Sequence, residues 1–202
     1  MEASVKSTQS ILYRIQIALA KYCLIWLAFG LCYANDALTK IKSHYAQLGQ
    51  PKKAIVVFDI DDTLLSNEQF IQADGGYFLK RIIGFQRLGQ LTLIDRQKEI
   101  YDWCIANGIG VVMITFRCET EYPSTVINLK EQGIHQWQKL VLFPKPCDYH
   151  MTTAQAYKEK VRQKLTQQGY QVIATVGDQY SDISGEANGV PIKVKDPGYF
   201  TQ

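Results

Sequence analysis

The stretch Ala54-Ile-Val-Val-Phe58 stops at Asp59-Ile-Asp-Asp-Thr63, and this junction constrains the fold more than any other feature of the chain. Five consecutive apolar residues without alternation need cover on both faces of the strand they form. Such a strand belongs inside a parallel sheet flanked by helices. Carboxylates at its carboxyl end fall where open α/β sheets take their ligands.

The remaining pattern repeats that unit. Helical spacing of Ala37, Ile41, Tyr45 and Leu48 predicts a helix over 37–48, stopped by Gly49 and Pro51. A second helix is expected over 93–106, and Gly110-Val-Val-Met-Ile114 reads as a second strand. A helix over 124–132 and a strand over 140–143 follow. Thr152 and Gln155 are spaced as a capping box for a helix to about Gln168, with Ala154, Tyr157, Val161 and Leu165 as its core stripe. Val172–Val176 and Pro191–Val194 are the last strands expected. The fold class is therefore α/β, a Rossmann-like parallel sheet with helices on both faces. Residues 66–90, broken by Gly75, Gly76, Gly84 and Gly89, read as a short insert.

Composition narrows the partners. At 47% hydrophobic and 20% charged, the chain of 202 residues is neither disordered nor low in complexity. A net charge of +3 is too small to imply a basic nucleic-acid face, so no nucleic acid is expected as a partner. The N-terminus differs from the rest. Lys6, Arg14 and Lys21 precede the apolar run Tyr22–Ala34, followed by Asn35 and Asp36. Thirteen helical residues span about 20 Å, short of the ~30 Å hydrocarbon core. A basic flank, a short apolar run and small residues before a polar one are the layout of a secretory signal.

Residues 1–34 are thus expected to be a signal peptide or an N-terminal anchor, and 35–202 the functional domain, periplasmic or secreted. A membrane is a partner only if that segment stays uncleaved. Cleavage after Ala34 would lower the net charge to +1 and leave Cys104, Cys118 and Cys147. Three cysteines in an oxidising compartment allow one bridge and one free thiol, with the pairing open.

Chemistry concentrates at strand ends. Asp59-Ile-Asp-Asp-Thr63 follows the first strand, Thr115-Phe-Arg117 the second, and Gly177-Asp-Gln-Tyr-Ser-Asp182 the fourth. Crowded carboxylates repel unless a cation or proton intervenes. With only oxygen donors at hand, and His44, His135 and His150 scattered, a hard cation such as Mg²⁺ fits best. A carboxylate beside that cation, with a second two residues on, suits nucleophilic attack on phosphorus and proton transfer.

These residues resemble the haloacid dehalogenase-like superfamily of phosphohydrolases. Asp59-Ile-Asp-Asp-Thr63 is similar to its first motif and Gly177-Asp-Gln-Tyr-Ser-Asp182 to its fourth. Tyr157-Lys158 with Arg162, and the ending Lys195-Asp-Pro-Gly-Tyr199, resemble the class B acid phosphatase branch, which includes plant storage-protein relatives. The resemblance implies that Asp59 is a nucleophile forming an aspartyl-phosphate and that Asp61 protonates the leaving oxygen, then activates water. It also implies that Thr115 and Lys158 bind the phosphoryl group. Mg²⁺ would be held by Asp59, the backbone carbonyl of Asp61, and Asp178, with Asp182 as ligand or support.

Departures are visible as well. Phe116 stands where many members have glycine, which predicts a narrower or differently turned loop at Thr115. Arg117 is expected to bind substrate or to pair with Glu119 or Glu121, and Cys118 to pack or form a disulfide. The insert 66–90 takes the place of a cap, and its shortness favours small, accessible phosphomonoesters. Tyr77, Phe78 and Phe85 are candidates to stack on an aromatic substrate. The reading is an exported, Mg²⁺-dependent acid phosphatase. Its alternatives are a non-catalytic storage or binding protein on the same fold, or a phosphotransferase.

Overall fold

The computed structural model describes residues 36–69, 84 and 86–195. The chain divides into two compact units, residues 1–39 and 40–202, and of the first only 36–39 lie in that range. The expected leader, residues 70–83 and 85 of the insert (with Tyr77, Phe78 and Phe85), and Pro197–Tyr199 lie outside the described residues.

Five parallel strands form one sheet in the order β5-β4-β1-β6-β7. They are β1 (Ala54–Phe58), β4 (Gly110–Cys118), β5 (Lys139–Phe143), β6 (Gln171–Gly177) and β7 (Val190–Lys193). A separate antiparallel pair joins β2 (Leu65–Ser66) to β3 (Thr92–Leu93). The helices are α1 (Asp36–Gln47), α2 (Asp95–Ala106), α3 (Tyr122–Glu131), α4 (Ala154–Gln167) and the single turn α5 (Tyr180–Ile183). The expected α/β parallel sheet with flanking helices is the architecture found.

Every residue of β1 is buried, and Phe58 pairs with Met113 on one side and Val176 on the other. Ile55, Val57, Val112, Ile114 and Val172 form one buried cluster with Leu165 of α4, flanked by Tyr157 and Val161. Val56, Phe58 and Met113 point to the opposite face and are also buried. The chain winds outward from β1 to β4 and β5, then returns to build β6 and β7 on the other side of β1. The winding therefore reverses between β1 and β6. Such a reversal opens a crevice beyond the carboxyl ends of the strands. Asp59 and Asp178 leave β1 and β6 at that point.

Local differences from the sequence pattern have physical causes. Strand β4 continues to Cys118, and its pairing with β5 shifts between Ile114 and Cys118. The polar Thr115 and Arg117 hide this continuation from an apolar count. Thr153, not Thr152, caps α4, its Oγ1 accepting the Ala156 N–H at 3.2 Å. The β2–β3 pair, two residues per strand, is too short to read from a pattern. It nevertheless fastens the two ends of the insert, with Leu65 opposite Leu93 and Ser66 opposite Thr92. The returning limb is also tied to α3. The Asn128 side chain accepts from Leu91 N–H at 3.0 Å and donates to Leu91 C=O at 2.7 Å.

Candidate active site

Asp59 follows β1 directly, its N–H completing the ladder to Val176 C=O at 2.9 Å. Lys158, on the second turn of α4, reaches into the crevice and donates to Asp59 Oδ1 at 2.5 Å and to Asp182 Oδ1 at 2.6 Å. All three side chains are buried. Burial disfavours charge on Lys158, but Asp59 and Asp182 outweigh it and hold its pKa above the usual lysine range. Asp178, at the end of β6, completes an acidic group in which one oxygen from each of Asp59, Asp178 and Asp182 lies within 4.8 Å of the others.

One ammonium among three buried carboxylates leaves negative charge uncompensated. Burial pushes Asp59 well above the ordinary carboxylate range, opposed by Lys158 and reinforced by Asp182 and Asp178. Asp178 is pushed up to about 7, first by burial and also by Asp182 and Asp62, against a hydrogen bond from Gln179. A buried, all-oxygen donor set that resists ionisation on its own fits a hard divalent cation.

Asp61 lies in a different setting. Arg117 donates to it in a fork, Nε to Oδ2 at 2.8 Å and Nη2 to Oδ1 at 2.7 Å. Gln86 Nε2 at 2.8 Å and Asn67 Nδ2 at 3.3 Å also bond Oδ1. Burial alone would raise the pKa of Asp61, but Arg117 and then Asn67 bring it below the usual range. The remaining guanidinium nitrogen, Nη1, donates to Thr125 at 3.1 Å. The direct ion pair of Arg117 is thus with Asp61 and not with Glu119 or Glu121; Glu121 feels the Arg117 charge from further off and meets Arg87 at 3.5 Å.

Thr115 is buried in β4, two residues before Arg117, and its Oγ1 accepts the Arg117 N–H at 3.2 Å. Phe116 does not narrow a turn. It sits within the strand and packs among Phe143, Tyr149 and Tyr157, with centroids 4.6, 5.0 and 6.0 Å away. The Tyr157 hydroxyl donates to Leu142 C=O at 2.6 Å. Cys118 is disulfide-bonded to Cys147, and Cys104 is a buried free thiol whose pKa burial pushes up to about 12.

The structure therefore brings Asp59, Lys158, Asp178 and Asp182 together, and sets Asp61 beside them in its own collar of donors. Besides Gln86, Thr63 and Asn67 escaped the sequence reading. Thr63 joins the first and last motifs: its Oγ1 accepts the Asp178 N–H at 3.0 Å and donates to Asp178 Oδ1 at 3.3 Å. Asn67 bonds both Asp61 and Asp62. The Thr of the Asp-x-Asp-x-Thr spacing was a readable signal for the first, whereas nothing marked Asn67.

The family profile described as "HAD superfamily, subfamily IIIB (Acid phosphatase)" matches residues 31–202. The chain belongs to this acid phosphatase subfamily. Acid phosphatase 1 of Solanum lycopersicum is 30% identical over 174 residues, covering 82% of this chain and 67% of the relative. Vegetative storage protein 1 of Arabidopsis thaliana is 30% identical over 153 residues, covering 71% of this chain and 54% of its own. The class C acid phosphatase of Bacillus anthracis, solved with tungstate bound, shares the fold at TM-score 0.66 and 18% identity, covering 82% of this chain and 76% of that one. This chain's relatives thus include both a named acid phosphatase and a named storage protein.

Proposed function

We propose that this subfamily IIIB protein is an exported, Mg²⁺-dependent acid phosphatase acting on small phosphomonoesters. The observation that carries the reading is the buried Asp59, bonded by Lys158 at 2.5 Å and grouped with Asp178 and Asp182 at the switch point of the sheet. Asp59, Asp178, the backbone carbonyl of Asp61 and, as ligand or support, Asp182 would hold Mg²⁺. When bound, the ion supplies positive charge against the phosphate oxygens.

In the first step an Asp59 carboxylate oxygen bonds to phosphorus as the ester P–O bond breaks, leaving an aspartyl-phosphate. Asp61 delivers a proton to the departing oxygen. In the second step Asp61 takes a proton from water, whose oxygen attacks phosphorus and returns Asp59 as a carboxylate. Lys158 and Thr115 hold phosphate oxygens, so that positioning and charge neutralisation carry most of the acceleration. The collar of Arg117, Gln86 and Asn67 favours ionised Asp61, the state the second step needs. The first step needs the protonated form and is therefore helped by acid.

Hydrolysis of a chromogenic aryl phosphate with Mg²⁺ or with EDTA tests the reading. Wild type should turn over with Mg²⁺, lose activity in EDTA and recover when Mg²⁺ returns. Full activity in EDTA would reject the metal's role. A second reading, a non-catalytic storage protein, is favoured by relatives that bear that name. It is the reading left if wild type turns over no phosphomonoester.

Export is supported by the leader-like residues 1–34 and by the Cys118–Cys147 disulfide, which suits an oxidising compartment. The first residue of the recovered protein should lie near Asn35. A full-length cytoplasmic product would reject export.

A further inference from the structure

Helix α4 contributes more to the crevice than Lys158. One turn further on, Arg162 is completely buried, and among the described residues no carboxylate accepts from its guanidinium. All three nitrogens donate instead to backbone carbonyls of the segment that follows β6. Nη1 bonds Asp182 C=O at 2.7 Å, Nη2 bonds Ser184 C=O, and Nε bonds Glu186 C=O at 3.3 Å. Glu159 of the same helix accepts the Glu186 N–H at 2.7 Å.

Residues 182–186 are thus bound along their backbone by α4, while the Asp182 side chain is held by Lys158 from the previous turn. Few other positions are open to this loop. A Cβ at Gly177 would collide with the Asp182 side chain, and one at Gly185 would collide with the Glu159 carboxylate. A guanidinium is suited to this task because its planar fork meets several acceptors in fixed directions, which an ammonium does not.

We propose that Arg162 is the positioning residue that sets the backbone of Asp182, so that its carboxylate faces Asp59, Asp178 and the cation they would share. The proposal rests on the metal role assigned under Proposed function. It predicts that the fork, and not the buried positive charge alone, sets metal affinity. Residues that hold ligands from behind typically change metal affinity about 10- to 100-fold when replaced.

The test is titration with Mn²⁺, a hard cation that prefers oxygen donors, followed by electron paramagnetic resonance of the free ion. Unfolding temperatures are measured in parallel. Wild type should bind one Mn²⁺. Arg162→Lys keeps the charge and loses the fork, and should bind about tenfold more weakly while remaining folded. Arg162→Met should be weaker still, and Gln167→Ala, exposed at the far end of the same helix, should match wild type.

If Arg162→Met does not fold, Arg162→Lys decides the matter alone. Folded Arg162→Lys with wild-type Mn²⁺ affinity would overturn the proposal and leave the phosphatase reading intact. Wild type that binds no Mn²⁺ would overturn the metal reading itself, and this inference with it.

Discussion

The crevice holds two carboxylates two residues apart in sequence whose surroundings are opposite. Asp59 shares a buried space with Asp178 and Asp182, and among the described residues Lys158 is the cation in direct contact with them. Asp61 has one carboxylate to itself and four donor contacts from Arg117, Gln86 and Asn67. The first environment raises a carboxylate's pKa and the second lowers it. Two acids whose surroundings push them apart are suited to different tasks, which in the proposed mechanism are nucleophilic attack beside a cation for Asp59 and proton transfer for Asp61.

The sharpest way to break this contrast is to remove charge on the Asp59 side. Asp59→Asn keeps the shape and removes the nucleophile, so kcat on an aryl phosphate should fall by about 10⁴-fold or more. Retained turnover would mean that Asp61 or water attacks directly. Lys158→Met should follow with a loss of about 10²–10³-fold, comparable to deleting one preorganised donor at a developing charge. It also removes the ammonium that pairs directly with Asp59 and Asp182, so its unfolding temperature should fall in EDTA and recover with Mg²⁺. A variant insensitive to Mg²⁺ would show that the acidic group does not gather a cation.

Much of this contrast was legible in the sequence, for reasons that particular residues make clear. Asp59 and Asp178 could be read because each closes an apolar run, which the fold places at one sheet edge, and Asp61 and Asp182 because they follow within the same short motifs. Lys158 was readable from its resemblance to a family motif; by helical spacing alone it is a surface lysine. Arg117 was expected to bind substrate or to pair with Glu119 or Glu121, its acidic sequence neighbours, and nothing local pointed to Asp61. That partner lies 56 residues away, brought close by the adjacency of β1 and β4. Gln86 and Asn67 carried no local sign, since an amide becomes part of a site only through what the chain places beside it.

Arg117→Met tests the other half of the comparison. Removing the fork leaves burial to act on Asp61, so its pKa should rise from a depressed value towards or above the ordinary one. A depressed carboxylate adds stability that is present above its unfolded pKa, near 3.9, and is lost as pH falls through the folded value. The variant should therefore lose stability at neutral pH, and its difference from wild type should shrink as pH falls through the lowered folded value. Its phosphorylation step, which needs protonated Asp61, should tolerate higher pH, shifting the alkaline limb of kcat upward. Loss of orientation should still lower kcat at the optimum by about 10²-fold. An unshifted pH profile would mean that Arg117 does not act through Asp61.

The smallest effect on turnover is expected from the Cys118–Cys147 bridge, and it too separates the two sides. Cys118 directly follows Arg117 in β4, so the bridge anchors the strand that collars Asp61, whereas Asp59, Asp178 and Asp182 leave from β1 and β6. The bridge closes a loop with a sequence separation of 29 residues. Chain-entropy reasoning assigns such a loop about 3–4 kcal/mol of stability. The double variant Cys118→Ala with Cys147→Ala should unfold roughly 10 °C lower. Below that temperature kcat should fall only a few-fold and Mn²⁺ affinity should not change, because none of the side chains proposed to hold the cation stands on β4. In protein beginning at Asn35, Ellman's reagent should find no reactive thiol while the wild type is native, and only Cys104 after unfolding without reductant. A large loss of Mn²⁺ affinity in the double variant would show that the acidic group depends on β4, and that the two sides are not mechanically separate.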